Sequence, residues 1–353
     1  MKYQDNWDES FEYQEKKEQR KARAHARARD RSQFKKSDLE QRKRAVASYM
    51  HKEGILEGRV VAILPEGVVV DHQGKELFCW VRGAWKKDNL RTKNFLAVGD
   101  FVRFDSDRVI DSIKERRSIL SRAEHFSRNT EQIIAVNIDQ VLIMSSLSAP
   151  QLKPALIDRY IIAANKGNMI PVIVLNKLDL LHEEERPFLD HVVKLYRALQ
   201  IAVFPISVIT GEGIEALREM MKGKASVISG QSGVGKTALL NRLTGNAFRT
   251  GNVVARTLKG SHTTSTARLV PLREGGFCID TPGIRSFGIW ELGKEEIAAY
   301  FPEISLLGSQ CRFPNCHHLE EPGCAVKEAV EKGQISSLRF ASYCALMSER
   351  KSH

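Results

Sequence analysis

The 353-residue chain has no apolar run approaching the roughly 18 residues of a membrane span. Its first 50 residues are too polar and charged to hold a secretory h-region. No membrane partner is expected, and a cytoplasmic protein is. Cysteine is sparse: there are six in all, three of them crowded between Cys311 and Cys324. That placement argues for metal ligation in a reducing compartment rather than a secreted disulfide framework. Large apolar residues are nearly missing from Lys16 to Arg44, where only Phe34 and Leu39 interrupt thirteen Lys or Arg and four acids. Such a segment cannot cover a core. It carries a net +9 of the chain's +11, so residues 1–54 are expected to form a mobile basic arm. Clustered cations of this kind displace condensed counterions and order on nucleic acid; a solubilising tail is the plainer alternative.

From Ile55 the texture changes to short β-branched runs at hairpin spacing, GRVVAIL, GVVVDHQGKELFCWV and AVGDFVRFD. About five strands before Ser118 predict a small barrel of the oligonucleotide-binding type over 55–118. The stretch from Trp80 to Lys93 interleaves Trp80 and Trp85 with Arg82, Lys86, Lys87, Arg91 and Lys93. Aromatic faces that stack bases beside cations that hold the backbone suit single-stranded RNA. Core tryptophans with a solvated lysine loop, in a barrel that binds protein, are the other reading.

After Glu131, apolar runs alternate with helical patterns, NIDQVLIMSSL, PALIDRYIIAANKG, MIPVIVLNKLDLL, EERPFLDHVVKLYRALQ, IAVFPIS, GIEALREMM, ASVISGQSG and GFCIDTPG. This predicts a parallel α/β sheet over 119–290. GQSGVGKT follows the strand ASVIS and opens the helix KTALLNRL, the context a phosphate loop requires. Gly230, Gln231, Ser232, Gly233, Val234, Gly235, Lys236, Thr237 and Ala238 are the expected phosphate-binding residues. Backbone N–H groups wrap the phosphates, Lys236 reaches the β and γ oxygens, and the Thr237 hydroxyl binds Mg²⁺. Asp280, at the start of DTPG, is the metal-side acid, and the Gly283 N–H lies near the γ-phosphate. Thr263 and Thr264, in GSHTTS, are both candidates for the switch that closes over Mg²⁺.

Asn176, Lys177 and Asp179 of NKLD, with Ser207 of SVITGEG, are the expected base-binding residues. A carboxylate accepts from both the ring N–H and the exocyclic amine of guanine, a donor pair that adenine lacks, so GTP is favoured over ATP. The order NKLD, SVITG, GQSGVGKT, HTT, DTPG places the guanine reader before the phosphate loop. It is a circular permutation, feasible because domain termini commonly lie close in space. Where many GTPases carry Gln just after the Asp-x-x-Gly motif, this chain has Ile284, which cannot position water. His262 is the candidate for that task, in an expected catalytic group of His262, Lys236 and Thr264.

WELGKEEIAAYFPEI reads as a helix, and CRFPNCHHLEEPGC follows it. Cys311, Cys316, His318 and Cys324 supply three thiolates and an imidazole, enough for a closed tetrahedral structural Zn²⁺ site within a helical segment over 291–353. His317 competes with His318 for the histidine position, and Cys344 stands outside.

These motifs resemble the circularly permuted, ribosome small-subunit-dependent GTPase A family from Gly54 to the C-terminus. The family's zinc pattern of Cys, four residues, Cys, one, His, five, Cys is met here through His318. The resemblance implies a barrel, a permuted GTPase domain and a zinc-binding helical domain in that order. It also implies a bacterial factor that binds the small ribosomal subunit and its rRNA late in maturation and hydrolyses GTP there. A monomer is expected. The sequence departs from the family in its long basic arm, in Thr237 where Ser is frequent, and in Val208 where a small residue is usual. A GTP-dependent RNA- or protein-binding switch with incidental turnover is the second functional class.

Overall fold

The structure, a computed structural model, describes residues 55–81, 95–123, 131–245, 267–280 and 294–348. The basic arm and most of the Trp80–Lys93 stretch, including Trp85, lie outside them. So do His262, Thr263, Thr264, Gly283 and Ile284.

Five short strands open the described chain: β1 (Leu56–Ile63), β2 (Val68–His72), β3 (Lys75–Val81), β4 (Phe101–Phe104) and β5 (Val109–Ile113). They pair in the order β1-β2-β3-β5-β4, and β4 returns to β1, so the ladder closes on itself and forms the expected barrel of the oligonucleotide-binding type. Alternation along each strand turns Val60, Val68, Val70, Cys79, Val102, Phe104 and Ile110 into one apolar interior. Trp80 points the other way. Its ring meets Phe78 edge-on at 4.7 Å and is 51% exposed, so this tryptophan is not a core residue.

A two-stranded ribbon, β6 (Ile119–Ala123) and β7 (Glu131–Val136), leads from the barrel. It is tied back to the barrel by Val136, whose N–H donates to Val98 O at 2.8 Å. Six further strands follow: β8 (Gln140–Ser145), β9 (Ile170–Leu175), β10 (Ala202–Pro205), β11 (Ala225–Gly230), β12 (Arg268–Pro271) and β13 (Phe277–Asp280). Their order is β10-β9-β8-β11-β13-β12, parallel except for β12. Counted from the phosphate-loop strand β11, with β8–β10 moved to the end, this reads 2-3-1-4-5-6, a doubly wound sheet cut open at a different loop.

The continuous apolar runs have a direct cause. All six residues of β8 are buried, because helices cover both faces of the sheet. On one face Val141 and Ile143 pack against α1 (Pro154–Lys166) and α2 (Arg186–Ala198) through Ile157, Tyr160, Ile161, Val192 and Tyr196. On the other, Leu142 and Met144 pack against α3 (Ile214–Met221) and α4 (Lys236–Thr244) through Leu217, Leu239 and Leu243. Each fully buried Leu or Ile contributes about 1.5–3 kcal/mol.

The short strand β12 was not legible in the sequence, and it carries the sheet onward. It pairs with β13 on one side and, at Ala62 opposite Arg268, with β1 of the barrel. The Arg268 guanidinium also holds both Glu76 oxygens of β3, at 2.7 and 2.9 Å. Deeper in the same joint, Arg59 donates to Asn137 O and lies between the rings of Phe101 and Phe277. Burial pushes its guanidinium down to about 10.

The helical segment holds α5 (Lys294–Ala299), α6 (Pro302–Gly308), α7 (Ala325–Glu331) and α8 (Ser337–Ser348). The single helix expected over WELGKEEIAAYFPEI is divided between α5 and α6. Pro302 takes the first helical position of α6, where its missing N–H costs nothing, but it would break a helix running through it. Ile162 of α1 packs into the core of this segment with Phe301, Tyr343 and Leu346. Beside it, Arg339 of α8 donates to Asp158 of α1 and, at 2.7 Å, to Glu303 of α6, while lying over the Phe301 ring. Arg339 is 3% and Asp158 1% exposed. Burial raises the Asp158 carboxyl, and the neighbouring Arg339 only partly opposes this. Arg339→Ala strands that carboxylate and should destabilise the protein by about 3–5 kcal/mol. Denaturant unfolding is the measurement, and adding Asp158→Asn should recover part of the loss.

Candidate functional site

Four loops leave the carboxyl ends of parallel strands, where ligands bind in open α/β sheets. NKLD follows β9, SVITG follows β10, the phosphate loop follows β11 and DTPG begins at the end of β13. In the register of β13 with β11, Ile279 lies beside Val227. The Asp280 backbone is therefore one position further along, toward Gly230, at the same end of the sheet.

Asn176 joins these loops. Buried at the end of β9, its amide donates from Nδ2 to Val234 O of the phosphate loop at 2.8 Å. It accepts at Oδ1 from the Val208 N–H at 3.0 Å. Gly235 lies against it at φ +96, and a Cβ there would come within 2.5 Å of Nδ2. Both the left-handed backbone and the close approach require glycine.

Lys177, also left-handed at φ 74, extends its amine to Ala149 O at 2.6 Å, in the loop after β8. That loop lines a small cavity with Asn176, Lys177 and Leu181. The SSLSAP run at the end of β8 carries no motif that marks its contact with NKLD. Asp179 is exposed in a single 3₁₀ turn, and Ser207 Oγ donates to its Oδ1. The same Ser207 Oγ accepts from the Thr210 N–H at 3.1 Å, which fixes the serine rotamer and, through it, the carboxylate. The Val208 N–H that the substitution leaves in place is the one bonded to Asn176.

Lys236 opens α4 and folds back over the phosphate loop, its Nζ donating to Gly230 O at 3.0 Å and Gln231 O at 2.6 Å. Gln231, Ser232, Gly233 and Val234 span the turn between them, Val234 fully buried beneath it. Thr237 and Ala238 follow in the first turn of α4. The expected phosphate and base residues thus occupy one end of one sheet. His262, Thr263, Thr264 and Gly283 lie outside the described residues.

A second cluster lies in the helical segment. One ligand atom each of Cys311, Cys316, His318 and Cys324 lies within 4.8 Å of all the others. The Cys311 and Cys324 sulfurs are 3.8 Å apart, and His318 Nδ1 is 3.5 and 3.4 Å from them. A tetrahedron with Zn–S near 2.3 Å and Zn–N near 2.0–2.1 Å has edges of about 3.8 and 3.5 Å, so the residues fit zinc. Burial lowers the His318 pKa, a shift in the direction of the neutral ring that metal ligation requires. Its far edge packs on Gly308, where a Cβ would meet Nε2 at 3.2 Å. His317, the rival in sequence, is exposed and is not part of the cluster; its main-chain N–H donates to Glu321 and its carbonyl accepts from Tyr343 Oη at 3.1 Å. Burial tends to raise the Glu321 carboxyl, but the backbone N–H groups around it hold it at about 2, so it serves as a fixed anionic bracket for the knuckle.

The family model described as RsgA GTPase matches residues 113–290. The chain belongs to the RsgA GTPase family. Membership makes it a GTP-hydrolysing enzyme that uses GTP and Mg²⁺. Among curated relatives, the "Small ribosomal subunit biogenesis GTPase RsgA" of Bacteroides fragilis is 36% identical over 79% of this chain and 91% of its own. That of Chlorobaculum parvum is 39% identical over 72% and 85%. Of solved structures, YjeQ from Thermotoga maritima superposes with a TM-score of 0.66 at 32% identity, covering 84% of this chain and all of that one. YloQ, titled a circularly permuted GTPase, gives 0.65 at 27% identity, covering 85% and 96%.

The Cys₃His geometry carries a prediction for this RsgA-family chain. Protein purified without chelator should hold about one zinc per chain by metal analysis, and His318→Ala should lose most of it.

Proposed function

We propose that this chain hydrolyses GTP as a late maturation factor of the small ribosomal subunit, binding its rRNA and coupling nucleotide state to release. One observation carries the reading. The guanine and phosphate loops of a permuted GTPase meet through Asn176 in a chain 36% identical to a small ribosomal subunit biogenesis GTPase. The exposed Trp80 on the barrel and the basic arm support contact with RNA. A soluble, cytoplasmic monomer fits this role, and no helix among the described residues is long and apolar enough to cross a membrane.

In this reading Asp179, held by Ser207, accepts from the two guanine donors, while Asn176 and Lys177 fix the pocket around the base. The Lys236 amine leaves the carbonyls of Gly230 and Gln231 for the β and γ oxygens, exchanging neutral acceptors for charged ones. Thr237, Asp280 and one of Thr263 or Thr264 hold Mg²⁺, and the Gly283 N–H faces the γ-phosphate. Mg²⁺ held by these residues would supply positive charge to offset the negative charge of the triphosphate. His262 positions the attacking water in place of the amide that Ile284 lacks. Cys311, Cys316, His318 and Cys324 hold a structural zinc that shapes the segment and takes no part in the chemistry.

Asp179→Asn should weaken GTP binding in calorimetry and favour xanthine nucleotide, whose extra carbonyl accepts from the new amide. The test of the function is single-turnover GTP hydrolysis with and without small subunits. Strong stimulation is expected in the parent and loss of most of it in His262→Ala, with GTP-analogue binding intact. Binding to subunits without stimulation would instead mark a GTP-dependent binding switch.

A further inference from the structure

The loop that reads guanine has little apolar anchorage at its tip. Ile206 and Val208 are buried, but Ile209 is 77% exposed, so beyond Val208 the loop is held by hydrogen bonds. Some are internal: Ser207 N–H to Glu212 O at 3.0 Å, Gly211 N–H to Ser207 O at 2.9 Å, and Thr210 N–H to the Ser207 hydroxyl. Among the described residues, a cation from another element reaches it. Arg242, in the last turn of α4, donates from Nη1 to Val208 O at 2.8 Å and, more weakly, to Ile209 O at 3.4 Å.

The loop is shaped to receive that side chain. Gly211, at φ +95, leaves open the space in which a Cβ would stand 2.5 Å from Arg242 Nη2. Arg218, in the helix that follows the loop, donates in turn to Arg242 O at 2.9 Å. Val208 is thus gripped at both of its polar groups, by Asn176 at the N–H and by Arg242 at the carbonyl. Ser207, the residue before it, carries the hydroxyl that holds Asp179. Arg242 stands six positions after Lys236, roughly 9 Å along one helix, so a single rigid element presents a phosphate ligand at its start and braces the base loop near its end.

We propose that Arg242 is a positioning residue for guanine specificity: by holding the Val208 and Ile209 carbonyls it sets Ser207, and through Ser207 the Asp179 carboxylate that reads the base. Charge-assisted bonds to main-chain oxygens do this without packing, which the exposed tip of the loop cannot supply. The inference rests on the guanine-reading role of Asp179 proposed above. A cation in the last turn also suits the helix dipole, but that contribution is indifferent to which base is bound.

The experiment compares GDP with IDP, which lacks the exocyclic amine, by calorimetry. Arg242→Ala should weaken GDP about tenfold, or about 1.4 kcal/mol, and IDP only about twofold, so that the preference for guanine falls. Gly211→Ala, which displaces the same guanidinium, should reproduce the effect, and Arg242→Lys, which keeps a cationic donor, should restore much of the preference. Equal weakening of both nucleotides in Arg242→Ala and Gly211→Ala, or no change in either, overturns the proposal. Asp179→Asn separates the two levels. If it abolishes the preference while the Arg242 and Gly211 variants keep it, only the role of Arg242 falls. If it too keeps the preference, the guanine reading falls and the inference with it.

Discussion

The buried amide of Asn176 is the interaction on which the nucleotide end of the sheet depends. Its donor and acceptor are both taken by main-chain groups, Val234 O and Val208 N–H, that belong to loops far apart in sequence. A side chain without both partners would leave a buried polar group unsatisfied, at a cost of about 1–3 kcal/mol. Gly235 is part of the same constraint, because any larger residue would collide with that amide. The base loop and the phosphate loop are therefore set relative to each other by hydrogen bonds, not by chain connection.

That is the physical reason the permuted order is tolerated. Moving β8–β10 ahead of β11 alters which strand ends are covalently linked, yet β11 still lies between β8 and β13 with its register intact. What the permutation changes is the surroundings of the cut. The strand that follows the threonine segment, β12, pairs with β1 of the barrel, and the chain beyond DTPG leads to the helical segment. The two appended parts are joined to the sheet by different means. A shared ladder, the Arg268–Glu76 pair and the buried Arg59 hold the barrel. The helical segment is docked on α1 by Ile162 and by Arg339 between Asp158 and Glu303. Buried ion pairs of this sort contribute orientation more than net stability, since desolvation offsets much of the attraction.

The cysteine cluster follows the opposite logic, in that its geometry is local. Three cysteines and a histidine fall within fourteen residues, and turns at Pro314 and Gly323 bring them together. The spacing that the resemblance implies already favours His318 over His317, and the cluster contains His318. Glu321 and Tyr343 engage the backbone of His317, while His318, left-handed at φ 62, turns its ring toward the sulfurs.

The sequence by itself determined the parallel sheet, the barrel, the glycine-rich and NKLD loops and the spacing of the three cysteines and the histidine. Each of these is written in short-range pattern: buried strands as apolar runs, phosphate loops as glycine spacing, helix starts as Pro154 or Lys236 after a strand. The tertiary structure decided what depends on residues distant in the chain. Strand β12 is four residues long with only two of them buried, too short to announce itself, and it acquires its role from β13 and β1. Pro302 divides a periodic stretch that composition alone reads as one helix. Arg339, Arg59 and Arg242 look in the sequence like any surface cations. They differ from the rest in the partners that folding places around them, Asp158 and Glu303 for the first, two phenylalanine rings for the second, and the carbonyls of Val208 and Ile209 for the third. Periodicity records which face of an element is buried, and a long polar side chain's partner lies on another element that periodicity does not name.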